Sequence, residues 1–370
     1  MTTVHNGLEG IVAAETRLSS VDGERGELII GGYRVEDWAP RKTFEETVEL
    51  LWEACRGGQA ILPVPFLVAD GDRQDCLSSK VLRQAARGRV DAMDALRMAT
   101  ATLVARDDEE GASRILSAFP VIVASYWRLS HDLEPIAPRA DLRYAANYLY
   151  MLTGIEPHEE QVRGLETYLN TVVDHGLNAS TFTARVIAST GSDLVSAITG
   201  AIGALKGPLH GGAPGPALDM VFEIRDASRA EEVLRRKIES GERLMGFGHR
   251  VYKVRDPRAD VLAAAAERLF TRAGDMHLYE LARHVERTAL RLLEEYKPGR
   301  RLQTNVEFYT ALLLHGLGLE TPLFTPTFAI SRAAGWIAHC IEQRRTGRII
   351  RPQSVYVGGV ARLPGIPVTR

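Results

Sequence analysis

The sequence predicts a mainly α-helical protein with a short N-terminal hairpin. Two observations carry the helical class. Apolar residues recur at helical spacing over most of the chain, and no segment alternates with the period of two that marks a half-buried strand. A third carries the hairpin: turn chemistry gathers near the N-terminus. At 370 residues the chain is long for one ordinary domain.

Taken in order, Ser19, Ser20, Val21, Asp22 and Gly23 precede the apolar run Leu28, Ile29 and Ile30, and Gly31 and Gly32 follow it. That pattern reads as a hairpin. Thr43, Phe44, Glu45 and Glu46 then have the form of a capping box, with Phe44, Val48 and Leu51 on one helical face. Residues 57–115 are broken by Gly, Pro and Asp and predict only weak helices. Beyond Asp141 the helical signal is strong. Val162, Leu165, Leu169 and Val172 share a face; so do Leu194, Ile198, Ala201 and Leu205, with Ser192 as the expected N-cap. Leu278, Leu281, Val285, Ala289, Leu292 and Tyr296 make a long amphipathic helix that Pro298 and Gly299 stop.

Composition narrows the class of function. Hydrophobic residues at 45% and charged residues at 25% are the balance of a globular protein in water. A net charge of −2 gives no global attraction to nucleic acid or an anionic membrane. Cys55, Cys76 and Cys340 are too few and too scattered for a disulfide framework or a CxxC metal site, which suggests a reducing compartment. No signal-peptide pattern opens the chain, and the apolar run 311–319 is far short of the roughly 20 residues that span a bilayer. These signs point to the cytoplasm. No HExxH-type spacing indicates a metal.

Three glycine-rich breaks hold the chemistry. The first is Asp174, His175, Gly176, Leu177, Asn178, Ala179, Ser180 and Thr181, where His175 reads as the end of a helix and Gly176 as its cap. The second, Gly207, Pro208, Leu209, His210, Gly211 and Gly212, lets a substrate approach an imidazole and backbone amides closely. The third runs Met245, Gly246, Phe247, Gly248, His249, Arg250, Val251, Tyr252 and Lys253, followed by Asp256, Pro257 and Arg258. It clusters an imidazole with fixed positive charge, which suits a dicarboxylate or a phosphate. No buried strand precedes it, so it is not a dinucleotide fingerprint. Each alone has a plain alternative: a histidine favoured by a helix dipole, a turn histidine, a solvated basic turn.

In this order and combination the three motifs resemble those of the citrate synthase family. The resemblance runs from Gly7, Leu8, Glu9 and Gly10 to Arg351 and Pro352, and is poorest over 57–115. It implies a helical homodimer with a small domain over about residues 214–318 and the large domain on both sides, 1–213 and 319–370. It also implies condensation of acetyl-CoA with oxaloacetate and water to citrate and CoA, with acetyl-CoA as substrate and no tightly bound cofactor. By resemblance, His210 stabilises the enol or enolate of acetyl-CoA. His249 polarises the oxaloacetate carbonyl and protonates the new alkoxide. His175, with Asn178, binds oxaloacetate, and Arg258 and Arg332 hold its carboxylates. Arg351 reaches the site of the partner subunit. Met245, Gly246, Phe247 and Gly248 contact the CoA adenine, and Lys253, Lys297, Arg300 and Arg301 are candidates for its phosphates.

One departure stands out. The family's base is an aspartate in a Pro-Asn-Val-Asp-Phe motif, whereas here Thr304, Asn305, Val306, Glu307 and Phe308 put a glutamate in its place, as in a minor form of the family. The intrinsic acidities differ little, about 4.3 against 3.9. The extra methylene matters more, because misplacing a reacting group by about 1 Å can cost roughly 100-fold. Thr304-x-x-Glu307 is also a capping-box pattern, a purely structural reason for the glutamate. Two alternatives follow. One is a 2-methylcitrate synthase using propionyl-CoA, a difference of about 1–3 kcal/mol in an acyl pocket. The other is a weakly active or non-catalytic paralogue that binds CoA or a dicarboxylate.

Overall fold

The computed structural model describes residues 4–8, 10–58, 77–211, 214–249 and 251–359. Cys76, Arg250, Gly212 and part of the poorly readable 57–115 stretch lie outside them.

The N-terminal hairpin is present and is extended by a third strand. β1 (Ser19–Asp22) pairs antiparallel with β2 (Glu27–Ile30), in register Ser19 with Ile30, and β2 pairs with β3 (Tyr33–Arg34). The β1–β2 turn abuts the third glycine-rich loop: Gly23 O accepts Lys253 N–H at 2.9 Å. A Cβ on Gly23 would stand 2.1 Å from Val251 O, so only glycine permits this contact.

Helices make up the rest. α1 (Val35–Trp38) is short, and α2 (Phe44–Cys55) opens on the expected capping box, Thr43 Oγ1 accepting Glu46 N–H at 3.2 Å and Glu46 Oε2 accepting Thr43 N–H at 2.8 Å. Where only weak helices were expected stand α3 (Leu77–Arg87), α4 (Ala92–Thr100) and the start of α5 (Asp108–Ser130). α5 carries Pro120 in its interior. Proline cannot donate to the carbonyl of residue 116. The Tyr144 hydroxyl donates to Leu116 O instead, at 2.8 Å.

α6 (Tyr144–Thr153), α7 (Glu159–Val172), α8 (Ala179–Ala188) and α9 (Leu194–Leu205) follow. The N-cap of α9 is Asp193, not Ser192: its Oδ1 accepts Ser196 N–H at 2.8 Å. α10 (Pro214–Ile224), α11 (Ala230–Glu239), α12 (Pro257–Ala273), α13 (His277–Tyr296) and α14 (Val306–Gly316) pack largely on one another, α10 and α12 on α14 and α11 on α13. α12 also lies against α1 and α7.

The chain returns through α15 (Phe324–Thr346), which touches α2, α4, α5, α7, α8, α9 and α10. Ala333, Ala334, Trp336, Ile337 and Ala338 on it are all fully buried. A helix buried on every side belongs in the core of a large domain, and its buried polar residues, Ser331, Arg332 and His339 among them, are there hydrogen-bonded. Its length and burial give a rigid post against which the ends of α7 and α8 are set.

Candidate active site

The first loop is anchored from below. α7 ends at Val172, and His175 lies beyond its C-cap Val173 rather than in its last turn. The preceding Asp174 is fully buried, with Oδ1 3.1 Å from His339 Nε2 on α15 and Oδ2 accepting the Ser19 hydroxyl at 2.5 Å. Ser19 Oγ also accepts Gly176 N–H at 3.0 Å. β1 thereby pins both flanks of His175. Arg185 continues the buried chain, its Nη1 2.9 Å from His339 Nδ1 and 2.8 Å from Glu342 Oε2.

His175 faces the third loop. Its Nε2 is 3.2 Å from the Tyr252 hydroxyl, and its ring centroid is 5.8 Å from that of His249. His249 Nδ1 accepts two backbone N–H groups, from Val251 at 3.0 Å and Tyr252 at 3.1 Å. With Nδ1 an acceptor, the ring proton of neutral His249 sits on Nε2, which makes Nε2 a donor. Burial, then the nearby Arg258, hold His249 down to about 4. The same two causes, with Arg332, push His175 well below the usual histidine value. Neutral imidazoles that donate without carrying charge are the result.

Two buried arginines supply the charge. Arg258 follows the N-cap of α12 and forms a bidentate pair with that cap: Nε is 3.0 Å from Asp256 Oδ1 and Nη2 2.8 Å from Oδ2. Its guanidinium lies 5.7 Å from the Tyr252 ring centroid. Arg332 on α15 gives its Nε–H to Val172 O at 2.8 Å and covers the Phe328 ring at 4.6 Å. Burial lowers it to about 10, so it still carries its charge at neutral pH. A guanidinium has five N–H donors, and these contacts leave a planar edge on each suited to a carboxylate.

The second loop brings His210 to the start of α8. His210 Nε2 is 2.8 Å from Ser180 Oγ, and Ser180 N–H approaches the same nitrogen at 3.4 Å. Ser180 Oγ also accepts Trp336 Nε1–H at 3.1 Å and lies 2.8 Å from Asn178 Oδ1. Asn178 is the N-cap of α8, taking Thr181 N–H at 3.2 Å. Burial, then Arg332, hold His210 down to about 4.

Glu307 sits in the first turn of α14. The capping-box explanation for it does not hold. The N-cap is Asn305, whose Oδ1 accepts Glu307 N–H at 3.0 Å, while the Thr304 hydroxyl donates to Glu286 Oε1 at 2.7 Å. Backbone bonds zip this segment to the third loop. Gly248 N–H donates to Gln303 O at 2.7 Å, Asn305 N–H to Gly246 O at 3.0 Å, and Asn305 Nδ2 to Gly248 O at 2.9 Å. Gly246, at φ +87°, has no room for a Cβ, which would lie 2.9 Å from Phe308 Cβ. Asp256 Oδ2 accepts Val306 N–H at 3.3 Å, so the residue that clamps Arg258 also steadies the start of α14. Burial raises Glu307 above the usual carboxylate value, against the pull of Arg258 and Arg243.

The loops therefore bring His175, Asn178, His210, His249, Arg258 and Glu307 to neighbouring helix ends, and Arg332 stands by them from within α15. Met245, Gly246, Phe247 and Gly248 lie on the loop joined by backbone bonds to residues 303–305, and Lys297, Arg300 and Arg301 stand on the turn after α13 that leads into Gln303. Lys253 is exposed on the same loop as His249. Arg351 stands apart, exposed on the segment after α15. Tyr252, Ser180, Trp336 and Asp256 join the site without having been singled out. Tyr252, Ser180 and Asp256 sit inside the motifs, but only the folded contacts give them partners.

The family model "Citrate synthase, C-terminal domain" matches residues 7–353. A citrate synthase of Haloferax volcanii is 39% identical over 368 residues, 95% of each chain. Citrate synthase 2 of Bacillus subtilis is 38% identical over 96% of each. The crystal structure of citrate synthase from Pyrobaculum aerophilum superposes with a TM-score of 0.85 at 34% identity, covering 98% of this chain and 94% of that one. That of the Thermoplasma acidophilum enzyme, a ternary complex with carboxymethyl coenzyme A and oxaloacetate, gives 0.84 at 29% identity, covering 100% and 99%. A match of this extent, in sequence and in fold alike, places the chain in the citrate synthase family.

Proposed function

We propose that this protein is a citrate synthase that condenses acetyl-CoA with oxaloacetate and, with water, releases citrate and CoA. One observation supports the chemistry above the rest. The Nδ1 of His249 is saturated by two backbone N–H groups, so its proton lies on Nε2, beside His175 and Arg258. A neutral donor next to fixed positive charge suits a carbonyl that must be polarised while its flanking carboxylates are held.

In this reading Arg258 and Arg332 bind the oxaloacetate carboxylates, with His175 and Asn178 completing the pocket. Glu307 takes a proton from the methyl group of acetyl-CoA. His210, held with its Nε2 against Ser180 Oγ, stabilises the thioester oxygen as the enolate forms. The enolate carbon attacks the oxaloacetate carbonyl, and the alkoxide takes a proton at His249. Water then cleaves the citryl thioester and frees CoA. The raised pKa of Glu307 suits a base, since it brings the carboxylate closer to the weak acid it must deprotonate. CoA would lie along residues 245–248, with Lys253, Lys297, Arg300 and Arg301 at its phosphates. It enters as substrate, and no tightly held cofactor takes part.

Residues 214–318 would act as a small domain that closes on residues 1–213 and 319–370, excluding water until condensation is complete. A homodimer would bring Arg351 into the partner's site. The exposed apolar residues on two arms support this, Val4, Ile11 and Val12 on one and Ile349, Tyr356 and Val357 on the other. The proposed partners are thus oxaloacetate, acetyl-CoA and a second copy of the chain, with no nucleic acid or membrane. No described helix is long and apolar enough to cross a membrane. A cytoplasmic location agrees with the free, buried Cys55 and Cys340.

The test follows CoA thiol release from acetyl-CoA with and without oxaloacetate. Release should depend on oxaloacetate and should collapse in Glu307→Gln by about 100-fold or more. Glu307→Asp should keep measurable turnover. Parent enzyme that binds oxaloacetate yet releases no CoA would overturn the assignment.

A further inference from the structure

Glu286, midway along α13, has no role in the reaction as described, yet its carboxylate is held by three other segments. It is 3% exposed. Oε1 accepts the Thr304 hydroxyl at 2.7 Å and Arg255 Nη1 at 2.7 Å, and Oε2 accepts the Tyr309 hydroxyl at 2.5 Å. Arg283 completes the cluster, its Nη1 3.2 Å from the Tyr309 hydroxyl and 3.7 Å from Glu286 Oε2. Arg255 also pairs with Asp260 at 2.6 Å.

The spacing of these partners is informative. Thr304 precedes Glu307 by three residues and Tyr309 follows it by two, so one carboxylate grips the chain on both sides of the base. Arg255 precedes Arg258 by three, so the same carboxylate holds the turn that carries the dicarboxylate clamp. A buried ion cluster is a weak device for stability, since apolar replacements of similar volume are often neutral or better. It is a good device for fixing positions, because each charge-assisted bond is directional. Glutamate at position 307 increases the need: its longer side chain has one more torsion to restrain than aspartate would.

We infer that Glu286 is a positioning residue for proton abstraction, tying Glu307 and Arg258 to one buried point so that base and substrate clamp keep a fixed separation. The inference rests on Glu307 being the base. Burial works against the charge of Glu286, but the Tyr309 and Thr304 hydroxyls and Arg255 hold it below the usual carboxylate range. It therefore accepts throughout the neutral range.

The experiment uses full-length Glu286→Gln, which keeps the shape but replaces one acceptor by a donor. The expected result is a kcat lower by about 10- to 100-fold with the oxaloacetate KM within about 3-fold of the parent. The kinetic isotope effect on kcat with methyl-deuterated acetyl-CoA should rise, a change that a merely structural role would not produce. Combined with Glu307→Gln, Glu286→Gln should cost nothing further, since it acts through the base. Unchanged kcat and isotope effect, beside an inactive Glu307→Gln, would overturn the role of Glu286 and leave the base in place. An active Glu307→Gln would instead remove the base itself. If Glu286→Gln does not fold, Tyr309→Phe carries the test by removing one flank bond. A several-fold loss in kcat at constant oxaloacetate KM supports the inference, and parental kcat refutes it.

Discussion

At the scale of single residues, the site is built from groups held away from their ordinary protonation. His175, His210 and His249 are kept neutral by burial and by buried arginines, and Glu307 is kept reluctant to ionise by burial. This has a cost that is measurable. A carboxylate raised in the folded state binds its proton more tightly there than in the unfolded chain. Stability therefore falls as pH rises from the usual carboxylate value through the raised one, and the deficit is fully present above the raised one. Glu307→Gln should relieve it, raising the melting temperature at pH 7 by about 2 °C, with the gain vanishing below pH 4. Calorimetry across that range checks this; no gain at pH 7 would mean the carboxylate is better solvated than its surroundings indicate.

At the scale of elements, the start of α2 was legible in the sequence, whereas the N-cap of α9 fell one residue from its expected place. The Thr43 and Glu46 box of α2 forms as read, since both bonds close within four residues. The Thr304 and Glu307 box does not, because Glu286 from another helix takes the threonine hydroxyl. α5 carries Pro120 in its interior, and only the folded chain shows Tyr144 satisfying the carbonyl that proline leaves open. Tyr144→Phe should strand that buried carbonyl and cost about 1–3 kcal/mol in denaturant unfolding, while the kinetics stay near parental because α5 lies away from the loops. A neutral substitution would show that the break in α5 is satisfied otherwise.

At the scale of the whole molecule, the candidate site is the meeting of the α7–α8 and α9–α10 loops with the starts of α12 and α14, propped by α15 and by the N-terminal sheet. The exposed position of Arg351 makes the dimer a functional proposal as well as a structural one. Arg351→Ala should raise the oxaloacetate KM roughly 10-fold or more with the dimer intact in sedimentation. Mixing it with Glu307→Gln gives a sharper result. If Arg351 serves the partner's site, each mixed dimer holds one complete site, and random reassociation should restore about a quarter of parental activity. No restoration would return Arg351 to its own subunit or remove it from the site.

The sequence by itself determined the helical class, the faces that pack, the three glycine-bounded histidines and the substitution of Glu307 for the usual aspartate. These are set by local periodicity, by backbone freedom and by the identity of side chains. Tertiary structure alone decided which proton His249 carries, that Asp256 serves both Arg258 and α14, that Ser180 and Trp336 stand behind His210, and that Glu286 grips both flanks of Glu307. Each depends on a partner from a distant part of the chain or on the exact turn of a loop. A hydrogen bond is short and directional, so its partner is known only when the packing of the helices has brought the two ends together.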